Sequence, residues 1–201
     1  MAQLKISLDA NRFATGFTWK EYLAQMGDTR ARTEENYAKA TLTEEERKFF
    51  SGLGQVRHAL MLAENWCGDV HRNSPLLARI VEAMPNCELR VLFRDQHLDL
   101  TDTYLNNGYR SIPVIVFFDE GWNEIGRWIE RSSAATARMH AIRAKTVDVA
   151  PADQQDAAMA EFRTQFMAAH DGPNSLWREA VKEVRLVLET RLGLLPAEAK
   201  K

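Results

Sequence analysis

Long apolar runs are absent from this sequence, and so is an excess of charge of either sign. Without a stretch of about 18 consecutive apolar residues, a membrane span is not expected. Lysine and arginine number 26 against 28 aspartate and glutamate, a formal net charge of -2. That balance gives no electrostatic reason to expect nucleic acid or an anionic membrane as a partner. Cysteine is scarce: Cys67 and Cys87 are the only two, too few for a disulfide scaffold, and free thiols are expected in a reducing cytosol. The segment Met1 to Ala10 lacks the apolar centre of a signal peptide, so a cytoplasmic location is expected. No internal repeat is visible. What the chain does have is apolar material, 45% of 201 residues, enough for a sizeable core in one domain with additions.

The first third reads as helical. Thr18 caps a segment to about Met26, with Trp19, Tyr22, Leu23 and Met26 at helical spacing, and Gly27-Asp28 marks a break. Thr29 to Lys39 is a polar, charged stretch. Thr43 and Glu46 then form a capping-box pattern, predicting a helix that turns Phe49 and Phe50 inward and stops near Gly52 or Gly54.

The middle third alternates between types. Arg57 to Ala63 reads as a buried strand, and Cys67 to Ala83 as a helix with Leu76, Leu77, Ile80 and Val81 on one face. Leu89, Val91 and Phe93 alternate as a strand, and Leu100 to Asn107 reads as a short helix stopped by Asn107-Gly108. Ile112 to Phe118 is the strongest strand, Asp119-Glu120-Gly121 a hairpin turn and Trp122 to Ile129 the returning strand. Ser132 or Ser133 caps a helix to about Lys145. The first strand-helix-strand unit is expected to be parallel and the final pair antiparallel. The last third is helical again: Pro151 opens one helix, Asp171-Gly172-Pro173 breaks it, and Asn174 caps another carrying Leu176, Trp177, Val184, Leu188 and Leu192. These stripes read as packing surfaces on the sheet, with a homodimer or partner interface as the alternative. The tail from Pro196 to Lys201 is expected to fray.

One segment carries chemistry. Trp66-Cys67-Gly68-Asp69-Val70, with Pro75 eight residues after the cysteine and Ile112-Pro113 leading into an apolar strand and hairpin, resembles the active-site pattern of thioredoxins. It looks like a bacterial subgroup often written Trp-Cys-Gly-Asp-Cys, with valine in place of the second cysteine. The resemblance spans about residues 57–145. It implies a three-layer α/β/α fold with a mixed central sheet and added helices at both termini. The organisation it suggests is a helical extension over residues 1–54, a thioredoxin-like core over 55–146 and a C-terminal helical extension over 147–201 packed on that core. It further implies a cis-proline at Pro113, facing Cys67, with Ile112 presenting its backbone to a bound partner. Two departures stand out. Val70 occupies the place of the second cysteine, and Met61 that of a buried aspartate that helps move protons, for which Glu64 is a substitute only if its loop is placed differently.

The chemistry follows from position. A cysteine at a helix N-terminus gains unpaired N–H groups and the positive end of the dipole, which favour the thiolate. Gly68 allows close approach of a second chain or thiol. Asp69 opposes the thiolate, or simply compensates the helix dipole. His71, one turn on, supports the thiolate if charged, though a solvated histidine is the plainer reading. Trp66 covers the site or only packs its loop. Arg110 is placed to attract a carboxylate, such as that of a thiol tripeptide, or is merely solvated. Cys87 starts the next parallel strand at the far end of the sheet, beyond the roughly 7 Å Cα separation that a disulfide tolerates, and reads as an inert packed thiol.

The expected function is therefore thiol-disulfide exchange by a monothiol, Cys67, with a protein or low-molecular-weight thiol as partner and an external thiol completing the turnover. The alternative is a redox-inactive binding module that takes an extended peptide in the groove near Pro113. Ligation of a metal or an iron-sulfur cluster across a dimer, as in monothiol glutaredoxins, needs ligands beyond Cys67, and no metal-ligand spacing accompanies it; no metal or cofactor is expected.

Overall fold

Capping chemistry sets the first helices. The computed structural model describes residues 8–172 and 175–194. Two compact units divide the chain, residues 1–130 with 184–201, and residues 131–183. In the first unit, helices α1 (Ala10–Ala14) and α2 (Trp19–Ala24) each begin on a side-chain cap. For α2 it is the Thr18–Glu21 capping box, which satisfies two orphan amides reciprocally. The stretch read as merely polar is a helix, α3 (Arg30–Lys39). Its buried side chains are Thr33 and Asn36, so apolar periodicity could not reveal it. Helix α4 (Glu44–Ser51) starts on the expected Thr43–Glu46 box and ends at Gly52; it buries Phe50 fully and Phe49 in part.

The sheet is mixed, in the order β2-β1-β3-β4. Strand β1 (His58–Ala63) runs parallel to β2 (Glu88–Phe93) and antiparallel to β3 (Val114–Phe118), which pairs antiparallel with β4 (Glu124–Ile129). From Ala59 onward β1, and all of β3, are buried on both faces and read as apolar runs. Edge strand β4 alternates over its second half, with Gly126 and Trp128 in and Arg127 out. The outer edge of β2 is met by Phe17, whose amide and carbonyl both bond Val91 at 2.9 and 2.8 Å. Helix α5 (Gly68–Glu82) crosses between β1 and β2 and packs on both, with α3 against its outer side.

Two boundaries differ from expectation. The helix expected at Leu100 to Asn107 is α6 (Leu98–Thr101) plus a 3-10 turn over Asp102–Tyr104. Asn107 and Gly108 then take positive φ (51° and 85°) in a tight turn closed by Asn106 and Tyr109. Trp122 stands outside β4, at φ 62°, and stacks on His58 with ring centroids 4.0 Å apart.

The second unit contains α7 (Ser133–Arg143), α8 (Gln155–Ala168) and the start of α9 (Leu176–Arg191). Ser132 caps α7 by accepting from the Ala135 amide at 3.1 Å. A small core joins Ala135, Ile142, Phe166 and Leu176. Pro151 precedes a 3-10 turn (Ala152–Gln154) rather than sitting in the first turn of α8. Pro173, Asn174 and the tail from Pro196 lie outside the described residues.

The C-terminal part of α9 returns to the first unit and crosses β4 at Gly126. A Cβ built on Gly126 would stand 2.6 Å from Val187 Cγ1, closer than two carbons can approach. Gly126→Ala is therefore expected to cost about 1–3 kcal/mol of stability, the range for overpacking. Urea unfolding checks it, and Val187→Ala in the same chain should recover part of the loss.

Candidate functional site

The turn from β1 into α5 assembles the site. Cys67 is the N-cap of α5, in extended conformation, so the first turn of the helix begins directly after the thiol. Its Sγ donates to the Ile112 carbonyl at 3.7 Å, and the Ile112–Pro113 peptide bond is cis. The structure thus brings Cys67, Gly68, Asp69 and Val70 from one turn against Ile112 and Pro113 from another. Ile112, Pro113 and Val70 are buried. With its side chain fully enclosed, Val70 turns only its amide towards the sulfur. Trp66 stands 58% exposed beside the thiol. The Arg94 guanidinium lies over its ring at 4.9 Å and donates to the Arg110 carbonyl at 3.0 Å. Arg110 itself is exposed and holds Asp102 by two hydrogen bonds, at 2.6 and 2.9 Å.

Opposed forces act on the thiol. Burial pushes the Cys67 pKa up, and the Asp69 carboxylate adds to that; the Val70 and Asp69 amides and the Arg72 guanidinium pull the other way. Burial is the largest cause, and the net direction is upward. Asp69 is buried and paired with Arg72 at 2.9 Å. The lack of a side chain at Gly68 makes room for that guanidinium, whose Nη2 would be 3.1 Å from a Cβ there.

His71 overturns both expectations for it, the solvated ring and the charged supporter of a thiolate. It is 4% exposed, and its Nδ1 pairs with Thr33 Oγ1 of α3 at 3.0 Å. Burial, aided by Arg32 and Arg72, drives its pKa down to about 4, so the ring is neutral at physiological pH. Glu64 is buried just after β1, accepts the Asp95 amide at 2.8 Å and has its pKa raised by burial; Met61 is fully buried in β1. Cys87 sits before β2, at the opposite end of a six-residue strand pair. That is roughly 20 Å away at about 3.3 Å per residue. Both cysteines are free, and burial pushes Cys87 up to about 12. Among the described residues no group of three or more His, Cys, Asp or Glu is placed to hold a metal ion. Nor is any described helix long and apolar enough to cross a membrane.

Three site residues escaped the sequence reading. Asn36 donates to the His71 carbonyl at 2.8 Å. Asn73, buried inside α5, donates to the Glu130 carbonyl at 3.0 Å, and Glu130 holds a positive φ of 68° while its amide bonds the Pro113 carbonyl at 2.7 Å. For Asn36 a signal exists: Pro75 in α5 lacks an amide, which leaves the carbonyl four residues back, that of His71, without its helical donor.

Comparison with known proteins now decides the family. The sequence profile described as Thioredoxin matches residues 16–164. The chain belongs to the thioredoxin family. That match takes in α2 to α4 and most of α8, well beyond the 57–145 span of the motif resemblance. Two solved structures are similar to the whole thioredoxin-like α/β fold. One is a Pseudomonas aeruginosa protein of unknown function, 18% identical with TM-score 0.61; the other is an HIV epitope scaffold, 16% identical with TM-score 0.62. Each comparison covers 89% of this chain and 95% of the other. No functionally curated protein matches the sequence.

The buried neutral His71 has a consequence for stability. Its folded pKa of about 4 lies below the unfolded value of 6.5, so between these limits the unfolded chain binds more protons. Its contribution is therefore complete above pH 6.5 and is lost as pH falls towards 4. Acidification across that window should cost on the order of 2–3 kcal/mol through this residue. Denaturant unfolding at a series of pH values checks this, and His71→Gln should flatten the slope in that window.

Proposed function

We propose that this thioredoxin-family protein carries out thiol-disulfide exchange as a monothiol, through Cys67. The observation that carries the reading is Sγ at the start of α5, against the Ile112 carbonyl beside Pro113, with Cys87 out of reach at the other end of the sheet. In the reaction, Cys67 loses its proton and the thiolate attacks one sulfur of a partner disulfide. That S–S bond breaks, its electron pair leaves with the second partner sulfur, and a mixed disulfide forms on Cys67. A thiolate from outside the chain then attacks the mixed disulfide and returns Cys67 as a thiolate. The partner is a protein or a low-molecular-weight thiol; Trp66 and Gly68 form the surface it meets, and the buried Asp69, Val70, Ile112 and Pro113 shape the site beneath, Val70 and Ile112 through their backbone. A cytoplasmic setting suits this chemistry, because thiols in that compartment supply the second attack.

A specific observation favours a second reading. Burial raises the Cys67 pKa, the opposite of the usual setting of a reactive thiol. A redox-inactive module that binds an extended segment beside Pro113 has no need of a thiolate.

One experiment separates the two. Protein isolated without reductant is digested and Cys67 examined by mass spectrometry for a mixed disulfide. Recovery of a partner on Cys67, released by dithiothreitol and absent from Cys67→Ser, supports exchange; a free Cys67 in every preparation leaves the binding module. Val70→Cys probes the same geometry. It places a second thiol one helical turn away and is expected to raise disulfide reductase activity at least about tenfold over wild type, since the attack becomes intramolecular. An inert Val70→Cys variant would mean that the site lacks more than a second sulfur.

A further inference from the structure

Helix α3 meets the site through two residues one turn apart. Thr33 is fully buried and Asn36 is 3% exposed, although the helix around them is strongly polar. Both grip the same residue of α5. Thr33 Oγ1 lies 3.0 Å from His71 Nδ1, and Asn36 Nδ2 donates to the His71 carbonyl at 2.8 Å. The second contact replaces the helical bond that Pro75 cannot make, so α5 is incomplete at this turn without α3. The other flank of Cys67 is held from the same direction. Thr29 Oγ1 shares its proton between the Met26 carbonyl at 2.7 Å and the Asn65 carbonyl at 3.1 Å, and Asn65 Nδ2 donates to the Gln25 carbonyl at 3.3 Å. Residues two before and four after the thiol are thus fixed to the helices that precede the sheet. The amide of His71 bonds the Cys67 carbonyl at 3.2 Å, which links the grip directly to the cysteine.

We infer that α3 is a positioning element of the Cys67 site, in which Thr33 and Asn36 hold His71, and with Thr29 on Asn65 fix the turn whose amides face the thiol. The inference rests on the exchange reading only in taking Cys67 as the reacting atom. The charged groups around this turn are Asp69 and Arg72 on α5 and Arg32 on α3; the imidazole is neutral, and so is the buried Tyr22 phenol of α2, whose pKa is raised by burial and by Glu64 and Cys67. Losing the grip lets the first turn drift, weakens the Asp69 and Val70 amides at Sγ, and leaves burial and Asp69 to act on the thiol with less opposition.

The test reads the thiol itself. In a Cys87→Ser background, the rate of Cys67 alkylation by iodoacetamide is followed against pH, with circular dichroism to establish the fold. Thr33→Val is expected to move the midpoint upward and slow alkylation near neutral pH about three- to tenfold, equal to a shift of about half to one unit. Thr33→Ser, which keeps the hydroxyl, should stay with the parent. Thr29→Val, at a partly exposed position, should shift the midpoint in the same direction by less. A merely structural threonine would lower the melting temperature and leave the midpoint alone. Midpoints unchanged or lowered in Thr33→Val and Thr29→Val, or a Thr33→Ser profile that follows Thr33→Val, would overturn the inference. Should Thr33→Val not fold, Thr29→Val decides alone. Shifted midpoints in a protein that never yields a mixed disulfide would uphold the positioning role and sink the exchange reading, so the two fail separately.

Discussion

Pro75 has no amide to give, and the arrangement around the site depends on how that gap is met. A helix interior without one N–H leaves one carbonyl unpaired, and a buried unpaired carbonyl costs about 1–3 kcal/mol. The carbonyl in question belongs to His71, one turn after Cys67. Asn36 supplies the missing donor, and an asparagine can do so only if its own helix lies alongside. Docking α3 then brings Thr33 to the His71 ring and Thr29 to the Asn65 carbonyl. One covalent feature of the site helix therefore accounts for why a mostly polar helix is held against it.

The state of the thiol is a contest of two effects, and their sizes fix its outcome. A helix N-terminus stabilises a negative charge by about 0.3–1 kcal/mol, and up to about 2 when partly buried. Withdrawing a thiolate from water costs more than that unless a cation or several donors face it. Here the donors are two amides, and Arg72 divides its charge with Asp69. The thiol also donates to the Ile112 carbonyl, a bond that exists only while the proton is present. Burial and this hydrogen bond therefore act together, and both favour the protonated thiol. His71, buried between α3 and α5, is held neutral and adds no positive charge to this turn.

The sheet and the capped helices were legible because their signals are local. Thr18 with Glu21 and Thr43 with Glu46 mark helix starts whatever surrounds them, and β1 from Ala59 onward and β3 are apolar because both of their faces are buried. Cys67 as a helix N-cap followed from Trp66-Cys67-Gly68 and Pro75. Helix α3 was illegible for the opposite reason. Its inward face is Thr33 and Asn36, and these residues are buried by the partners they meet, not by apolar character. His71 was misjudged on the same ground, since its surroundings come from a segment far away in sequence. Val70 reads as an apolar replacement in the motif, and only packing shows its side chain wholly enclosed.

The helices before the sheet are thus bonded to both flanks of the Cys67 turn. The family match begins at residue 16, ahead of α2, and the contacts give that boundary a physical meaning. One side of the first α5 turn is tied to α3 through His71, and the other is tied through Asn73 to the backbone just after β4. Glu130, which receives that second tie, also bonds the Pro113 carbonyl, so the thiol and the proline loop are fixed to one framework. A dithiol site must let its second sulfur reach the first during turnover. A site that relies on an outside thiol has no such requirement, and this turn is held on both faces with Val70 closing the interior. The restraint on α5 suits the proposed monothiol reading, in which the turn holds one sulfur and no second sulfur of the chain moves to meet it.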